Sequence, residues 1–390
     1  MKETVTLPTI GEEQAIENIV ASTLDHGGAF SLWRKPHSNE KVLIVSNSGT
    51  TEISEVNLEG GEVGFLVAPF LPTEPKAFFR ADEVFRFASG EWHEDNDTES
   101  WRLKRNDSGR TDRLPPSYYK KNGTALPAGS YQELVRRAVV AIDQGLFEKV
   151  VPSRFEDVTH REGFDVLAAF HRLCELHPRA MVSLISSPAT GTWLGATPEL
   201  LVSIDKQSKF RTHALAGTQP YSEAADLKSV AWTQKEIEEQ ALVSRYIINC
   251  FKKIRVREYT EHGPKTVVAG NVMHLKTDYE VDMNEINFPQ LGSVMLKLLH
   301  PTSAVCGMPL DAALEFLKTS EGYNRELYSG YLGPVNFDGE SHLYVNLRCL
   351  QLFEKTARLY AGAGVTSDSD PEKEYLETEM KMRGLKTMIS

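Results

Sequence analysis

From Lys149 to Ala361 the sequence keeps returning to β-strand patterning, and a chain of that kind must close most of its core with sheets. The stretches Lys149–Val158, Met181–Ser186, Thr192–Ile204, Val335–Phe337, Ser341–Phe353 and Arg358–Ala361 are β-branched or alternate apolar with polar residues. Helical spacing interrupts them at Val166–Leu176, Ala225–Asn249, Met308–Thr319 and Glu372–Met388. Just upstream, Ser130 and Glu133 form a Ser-x-x-Glu capping signature for a helix over Gly129–Gln144, and Gly145 should end it. No repeat or low-complexity tract is present. The expected class is α+β (or α/β) with large antiparallel sheets.

The first third is harder to read. Residues 1 to 115 hold short strand-like pieces, such as Lys41–Ser46 and Gly64–Pro69, between polar stretches. A charged run over Glu91–Arg113, followed by Pro115, Pro116 and a turn at Lys120–Gly123, reads as a connection. We therefore place a soft boundary near Ala125, with a divergent N-terminal part over 1–125 and the chemistry in 126–390. The formal charge of −11 argues against nucleic acid, because a phosphate backbone is met by a basic face. An anionic ligand would need local cations or a metal to overcome that field. Apolar runs such as Leu310–Leu317 fall well short of the roughly 20 residues of a membrane span, so a soluble, untargeted chain is expected. Cys174, Cys250, Cys306 and Cys349 lie far apart without a zinc-site spacing, which predicts reduced thiols and a cytosolic setting.

Two carboxylate pairs share one spacing. Glu236 and Glu239 stand three apart on a predicted helix, as do Glu374 and Glu377, so each pair shares a face. Brought together, they would make an all-oxygen site suited to Mg²⁺, which accepts one or two protein carboxylates and keeps waters. Either pair alone is an ordinary solvated face. The loops Leu215–Pro220, with Gly217 and Thr218, and Ala361–Val365, with Gly362 and Gly364, could bring backbone close to an anion, or be plain turns. Arg348, in what reads as an apolar strand over Leu343–Leu350 beside Tyr344 and Asn346, needs an anionic ligand or a structural salt bridge. Lys149 and Glu199 are candidates for base and acid, since burial lowers a lysine's pKa and raises a glutamate's.

These pieces follow one another in an order that resembles the chorismate-utilising enzymes: isochorismate, salicylate, anthranilate and aminodeoxychorismate synthases. The similarity covers about 130–390, through Lys149-Val-Val-Pro-Ser-Arg154, Gly195-Ala-Thr-Pro-Glu199, Leu215-Ala-Gly-Thr218, Lys235-Glu-x-x-Glu239, His300-Pro-Thr302, Arg325-Glu-Leu-Tyr328-Ser-Gly330, Arg348, Gly362-Ala-Gly364 and Glu374-x-x-Glu377-Thr378 with Lys381.

The resemblance implies a large αββα sandwich to which residues 1–125 also contribute. It implies Mg²⁺ held directly by Glu239 and Glu377, with Glu236 and Glu374 joining through water. Arg348, Tyr328, Gly362, Gly364, Thr218, Gly217, Ala304 and Lys381 would surround chorismate, Lys149 would activate water for attack at C2, and Glu199 would protonate the departing C4 hydroxyl.

A lysine at position 149 resembles members that use water rather than ammonia. Ala304, where salicylate synthases tend to carry threonine, resembles isochorismate synthases. The implied protein is thus a cytoplasmic, monomeric isochorismate synthase without an amidotransferase subunit, serving menaquinone or siderophore synthesis. Salicylate synthase and a non-catalytic aromatic-acid binder are the alternatives. Pro152, Gln240 and Ser303 depart from the family pattern, and Pro152 predicts an edge or bulge.

Overall fold

The computed structural model describes residues 11–95, 130–161, 163–221, 227, 229–269 and 272–389. The expected connection beyond residue 95 and the boundary near Ala125 lie outside the described residues. Two nine-stranded sheets carry the fold. In spatial order, the first comprises β7 (Glu91–Glu94), β6 (Glu83–Ala88), β2 (Lys41–Ser46), β1 (Ala29–Arg34), β10 (Met181–Ser187), β11 (Gly191–Thr197), β19 (Cys349–Leu352), β20 (Thr356–Gly362) and β9 (Ser153–Thr159). The second comprises β14 (Thr260–Ala269), β15 (Val272–Asp282), β13 (Lys209–Pro220), β12 (Leu200–Ile204), β18 (Ser341–Val345), β17 (Tyr331–Val335), β4 (Gly64–Ala68), β5 (Lys76–Arg80) and β3 (Thr51–Ile53). A two-residue strand β8 (Lys149–Val150) pairs with β16 (Gly307–Met308).

Strand alternation explains the layering. In β1, Phe30 and Leu32 pack outward, while Ala29 and Trp33 face the opposite way. In β4, Leu66 and Ala68 face outward and Phe65 and Val67 inward. Successive side chains of a strand point to opposite faces, so strands apolar on both faces must be covered on both. The inward residues of the two sheets meet in one core that includes Trp33, Phe65, Phe79 and Trp193. Outside the first sheet lie α1 (Glu12–Asp25), α3 (Val166–Leu176) and α7 (Pro371–Ile389). Outside the second lie α2 (Tyr131–Asp143), α4 (Gln234–Lys253), α5 (Leu291–Leu299) and α6 (Leu310–Ser320). The result is the αββα sandwich of the α+β class.

Three long strand predictions break in the middle. Lys149–Val158 divides at Val151 and Pro152, Thr192–Ile204 at Pro198 and Glu199, and Ser341–Phe353 at Asn346–Arg348. Val335 ends its strand rather than beginning one; of the helix expected over Ala225–Asn249, Ala225 itself lies outside the described residues, and the described helix starts at Gln234. Arg348 is a correction: it lies outside any strand at φ 48°, so it does not share a strand face with Tyr344 and Asn346. The apolar residues on either side continue the pattern, which hides a break that only tertiary pairing imposes. The helix after Ser130 forms as predicted, with the Ser130 side chain accepting from Glu133 N at 3.2 Å and Gly145 at φ 77° beyond its end. Helix α1, which packs Ile16 and Val20 against the first sheet, had escaped the sequence reading.

Candidate active site

Two of the breaks are places where the chain leaves one sheet for the other. Between β11 and β12 it crosses through Pro198 and Glu199, and between β18 and β19 it crosses back through Asn346, Leu347 and Arg348. The crossings are tied together: Val345 N donates to Glu199 O at 2.9 Å, and Ala196 N donates to Arg348 O at 3.1 Å. Thr197 Oγ1 adds a bond to Val345 O at 2.6 Å. Gly195 permits this approach, because a Cβ there would stand 2.8 Å from Cys349 Cβ. Glu199 and Arg348 therefore meet at one cleft, whose empty volume is about 720 Å³ counting its open mouth.

Burial dominates the chemistry of Glu199. Desolvation pushes its carboxyl up to about 7, against the opposing pull of Lys149, Lys381 and Arg348. The Arg348 guanidinium has no hydrogen-bond or ion-pair partner among the described residues, and burial lowers its pKa from the ordinary value. Lys149 is fully buried and donates from Nζ to Glu239 Oε1 at 2.9 Å. Burial by itself would raise the Glu239 carboxyl, but Lys149, with Lys381 and Lys235, brings it below its usual range. Gly364 makes room for the pair: an added Cβ would lie 2.4 Å from Glu239 Oε1 and 3.1 Å from Lys149 Cε.

Beneath Lys149, a buried ion pair sets the backbone. Arg325 donates to Glu321, to Val305 O at 2.8 Å and to Val151 O at 2.7 Å. Glu321 in turn accepts from Ser153 N at 2.7 Å. The interruption at Val151 and Pro152 is thus held from both sides.

Gly217 and Thr218 sit where the pairing of β13 with β15 shifts register between Ala216 and Gln219, a bulge that Gly217 accommodates at φ 69°. His274 had no part in the sequence reading, yet it lines the cleft and meets Gly217 O through Nδ1 at 2.7 Å. Burial first, then Arg348, lowers its pKa to about 3, so the ring is neutral and Nδ1 donates. A lone histidine in the apolar strand start Val272–Leu275 was the available signal. Opposite, Tyr328 stacks on Tyr360 with centroids 5.2 Å apart. Lys381 Nζ donates to Gly362 O at 2.8 Å and pairs with Glu377 at 2.7 Å.

Of the predicted residues, Glu199, Gly217, Thr218, Glu239 and Ala304 line the cleft. So do Tyr328, Arg348, Gly362, Gly364 and Lys381. Lys149, Glu236, Glu374 and Glu377 are not among the lining residues; Lys149 reaches the lining Glu239, and Glu377 the lining Lys381. Glu236 accepts through Oε2 from Thr233 N at 2.8 Å, capping its own helix and leaving Oε1 without a partner among the described residues. Gln240 Nε2 donates to Thr277 Oγ1 at 3.1 Å, tying α4 to the sheet.

Three of these carboxylates act on one ammonium group. Lys235 Nζ meets Glu374 Oε1 at 2.5 Å. Burial would lower the Lys235 ammonium's pKa, but Glu374, Glu377 and Glu239 together raise it. Three carboxylates on two helices thus stabilise one positive charge. Among the described residues no closed group of three acidic, histidine or cysteine ligands is preformed, since each of these carboxylates is engaged by a lysine. The donor set suits a hard cation that keeps much of its water.

Residues 88–390 match the family model described as chorismate binding enzyme. The isochorismate synthase EntC of Escherichia coli (strain K12) is 29% identical over 267 residues, 67% of this chain and 66% of that protein. The isochorismate synthase DhbC of Bacillus subtilis (strain 168) is 32% identical over 269 residues, 65% of this chain and 66% of that protein. The match thus spans just under two thirds of either relative. In structure, the menaquinone-specific isochorismate synthase MenF of Escherichia coli superposes with a TM-score of 0.73 at 20% identity, covering 95% of this chain and 91% of that one. No helix among the described residues is long and apolar enough to cross a membrane.

Proposed function

The chain belongs to the chorismate-binding enzyme family, and within it we propose that it is an isochorismate synthase, adding water at C2 of chorismate and releasing the C4 hydroxyl. Glu199 carries this reading. A cleft-facing carboxyl held at about 7 keeps its proton near neutral pH and can give it to a leaving hydroxyl.

Lys149, in its neutral amine form, is the base that takes the proton from water as its oxygen attacks C2, and Glu199 returns one to the C4 oxygen, so that one water enters and one leaves. Arg348, Tyr328, Lys381 and the backbone at Gly362 and Gly364 receive the substrate's carboxylates and enolpyruvyl group, with Thr218 as a hydroxyl donor. Gly217 and Ala304 leave space for the ring. Mg²⁺, when bound, would be held by Glu239 and Glu377 directly and by Glu236 and Glu374 through water, and it would neutralise and orient the ring carboxylate. Placement by this chain's own cations makes attack intramolecular in effect. With water as nucleophile no amidotransferase subunit is needed, and we read the protein as a cytoplasmic monomer supplying menaquinone or siderophore synthesis.

The test is to incubate the purified protein with chorismate and Mg²⁺, with and without chelator, and to separate the products by chromatography. Isochorismate appearing only with metal supports the reading. Salicylate plus pyruvate would make the chain a lyase as well and remove the weight placed on Ala304. Saturable binding of chorismate without turnover would leave a binding protein.

A further inference from the structure

A second pocket adjoins the cleft, with Arg348, Lys381 and Pro198 lining both. Its empty volume is about 990 Å³ counting the mouth, larger than the cleft itself. Arg179 is exposed on its wall, beside His177 and Tyr221. Among the described residues no carboxylate lines it, in a chain whose acidic residues outnumber the basic ones 54 to 43. Lys381 is compensated by Glu377, but the guanidinium of neither Arg179 nor Arg348 has a hydrogen-bond or ion-pair partner among the described residues. The same field reaches His177, whose imidazole lies below its ordinary pKa through burial first and then through Arg348 and Arg34.

A pocket with three cationic side chains and no carboxylate among its described lining residues, leading to the same guanidinium that faces the inner cleft, has a physical consequence. A low-dielectric wall lined by one sign of charge concentrates counter-ions at its mouth. A protein with net charge −11 would otherwise repel a dianion at long range.

We propose that this side pocket is the approach path of the dicarboxylate substrate, and that Arg179 is a steering residue that captures a carboxylate before it passes to Arg348 and Lys381. The inference rests on the chorismate reading. Arg179 takes no part in bond making; it raises the local concentration of the anion at the entrance and the rate of productive encounter.

The experiment compares wild-type protein, Arg179→Ala, Arg179→Glu and the control Arg172→Ala, whose arginine pairs with Glu175 on α3 away from the pocket. Chorismate consumption is followed at about 10 mM and about 1 M ionic strength, where charges are felt over about 30 Å and about 3 Å respectively. At low salt, kcat/KM should fall about threefold for Arg179→Ala and about tenfold or more for Arg179→Glu, with kcat held. Both deficits should shrink at high salt, and Arg172→Ala should match wild type. Arg179 variants that keep the wild-type kcat/KM and salt dependence overturn the approach path while leaving the synthase reading in place. A loss confined to kcat, or equal at both salt levels, also overturns it, because that marks a structural role. Wild-type protein that leaves chorismate intact overturns the synthase reading, and this inference falls with it.

Discussion

Lys149 donates from Nζ to Oε1 of Glu239 over 2.9 Å, and none of its side chain meets solvent, whereas the Glu239 side chain remains 18% exposed. The proposed base is thus bonded to a carboxylate proposed to face the metal. Removing one member of a buried pair strands the other's charge, at about 3–5 kcal/mol. Glu239→Gln should cost more than Lys149→Met, because an unpaired Glu239 can rehydrate at the cleft while Lys149 cannot. The double variant should be more stable than the sum of the single losses predicts, by at least about 1 kcal/mol in urea unfolding. Strict additivity would mean that the contact contributes nothing. Lys149→Ala should lower turnover by at least about 100-fold, and an active Lys149→Ala protein would remove lysine from the role of base.

Glu199 makes activity and stability depend on pH in a defined direction. Its folded pKa of about 7 lies above the ordinary 4.5, so the folded state holds its proton more tightly than the unfolded one. Its contribution to stability is complete below 4.5, declines as pH rises toward 7, and is gone above that. Glu199→Gln should flatten that part of the stability curve. In the wild type kcat/KM should fall with one-proton dependence above about 7, as the acid is lost. A wild-type rate still rising through pH 8 would oppose the assignment.

Two glycines of the same region should respond oppositely to alanine. At Gly364 the new methyl would press on Glu239 Oε1 at 2.4 Å, so the variant should fold but bind Mg²⁺ at least about tenfold more weakly by calorimetry. At Gly384, within α7, nothing lies within 4 Å of the added carbon. Gly384→Ala should raise stability by about 0.5–1 kcal/mol, since alanine loses less backbone entropy in a helix. Equal Mg²⁺ affinity in Gly364→Ala would contradict the crowding argument.

Arg325→Met should be among the most damaging single changes outside the cleft. It strands the buried Glu321 carboxylate and frees the carbonyls of Val151 and Val305, at about 3–5 kcal/mol by denaturant unfolding. Paired with Glu321→Met it should recover part of that loss, whereas an unchanged double variant would place the damage in lost packing against Phe70, over which the guanidinium sits at 4.2 Å.

The helix over Val166–Leu176 and the strand Lys41–Ser46 were legible to the residue, because helical spacing and a short β-branched apolar run are local signals. So was the order of the motifs, which carried the family and with it the αββα expectation. The interruption at Pro152 was readable from a missing donor. The breaks at Glu199 and Arg348 were not, since the apolar pattern runs straight through both. His274 was passed over for a related reason: one polar residue in an apolar strand has no local partner to mark it.

The sequence by itself determined which residues could do acid, base and carboxylate chemistry, and where helices and strands tend to form. Tertiary structure decided how those residues act. Glu199 is shifted by burial among residues far from it in the chain, and Lys149 meets a glutamate 90 positions away. Arg348 faces the cleft because two sheets stand close enough for the chain to step between them. Desolvation and long-range pairing arise only once the sheets are packed, so no local pattern records them.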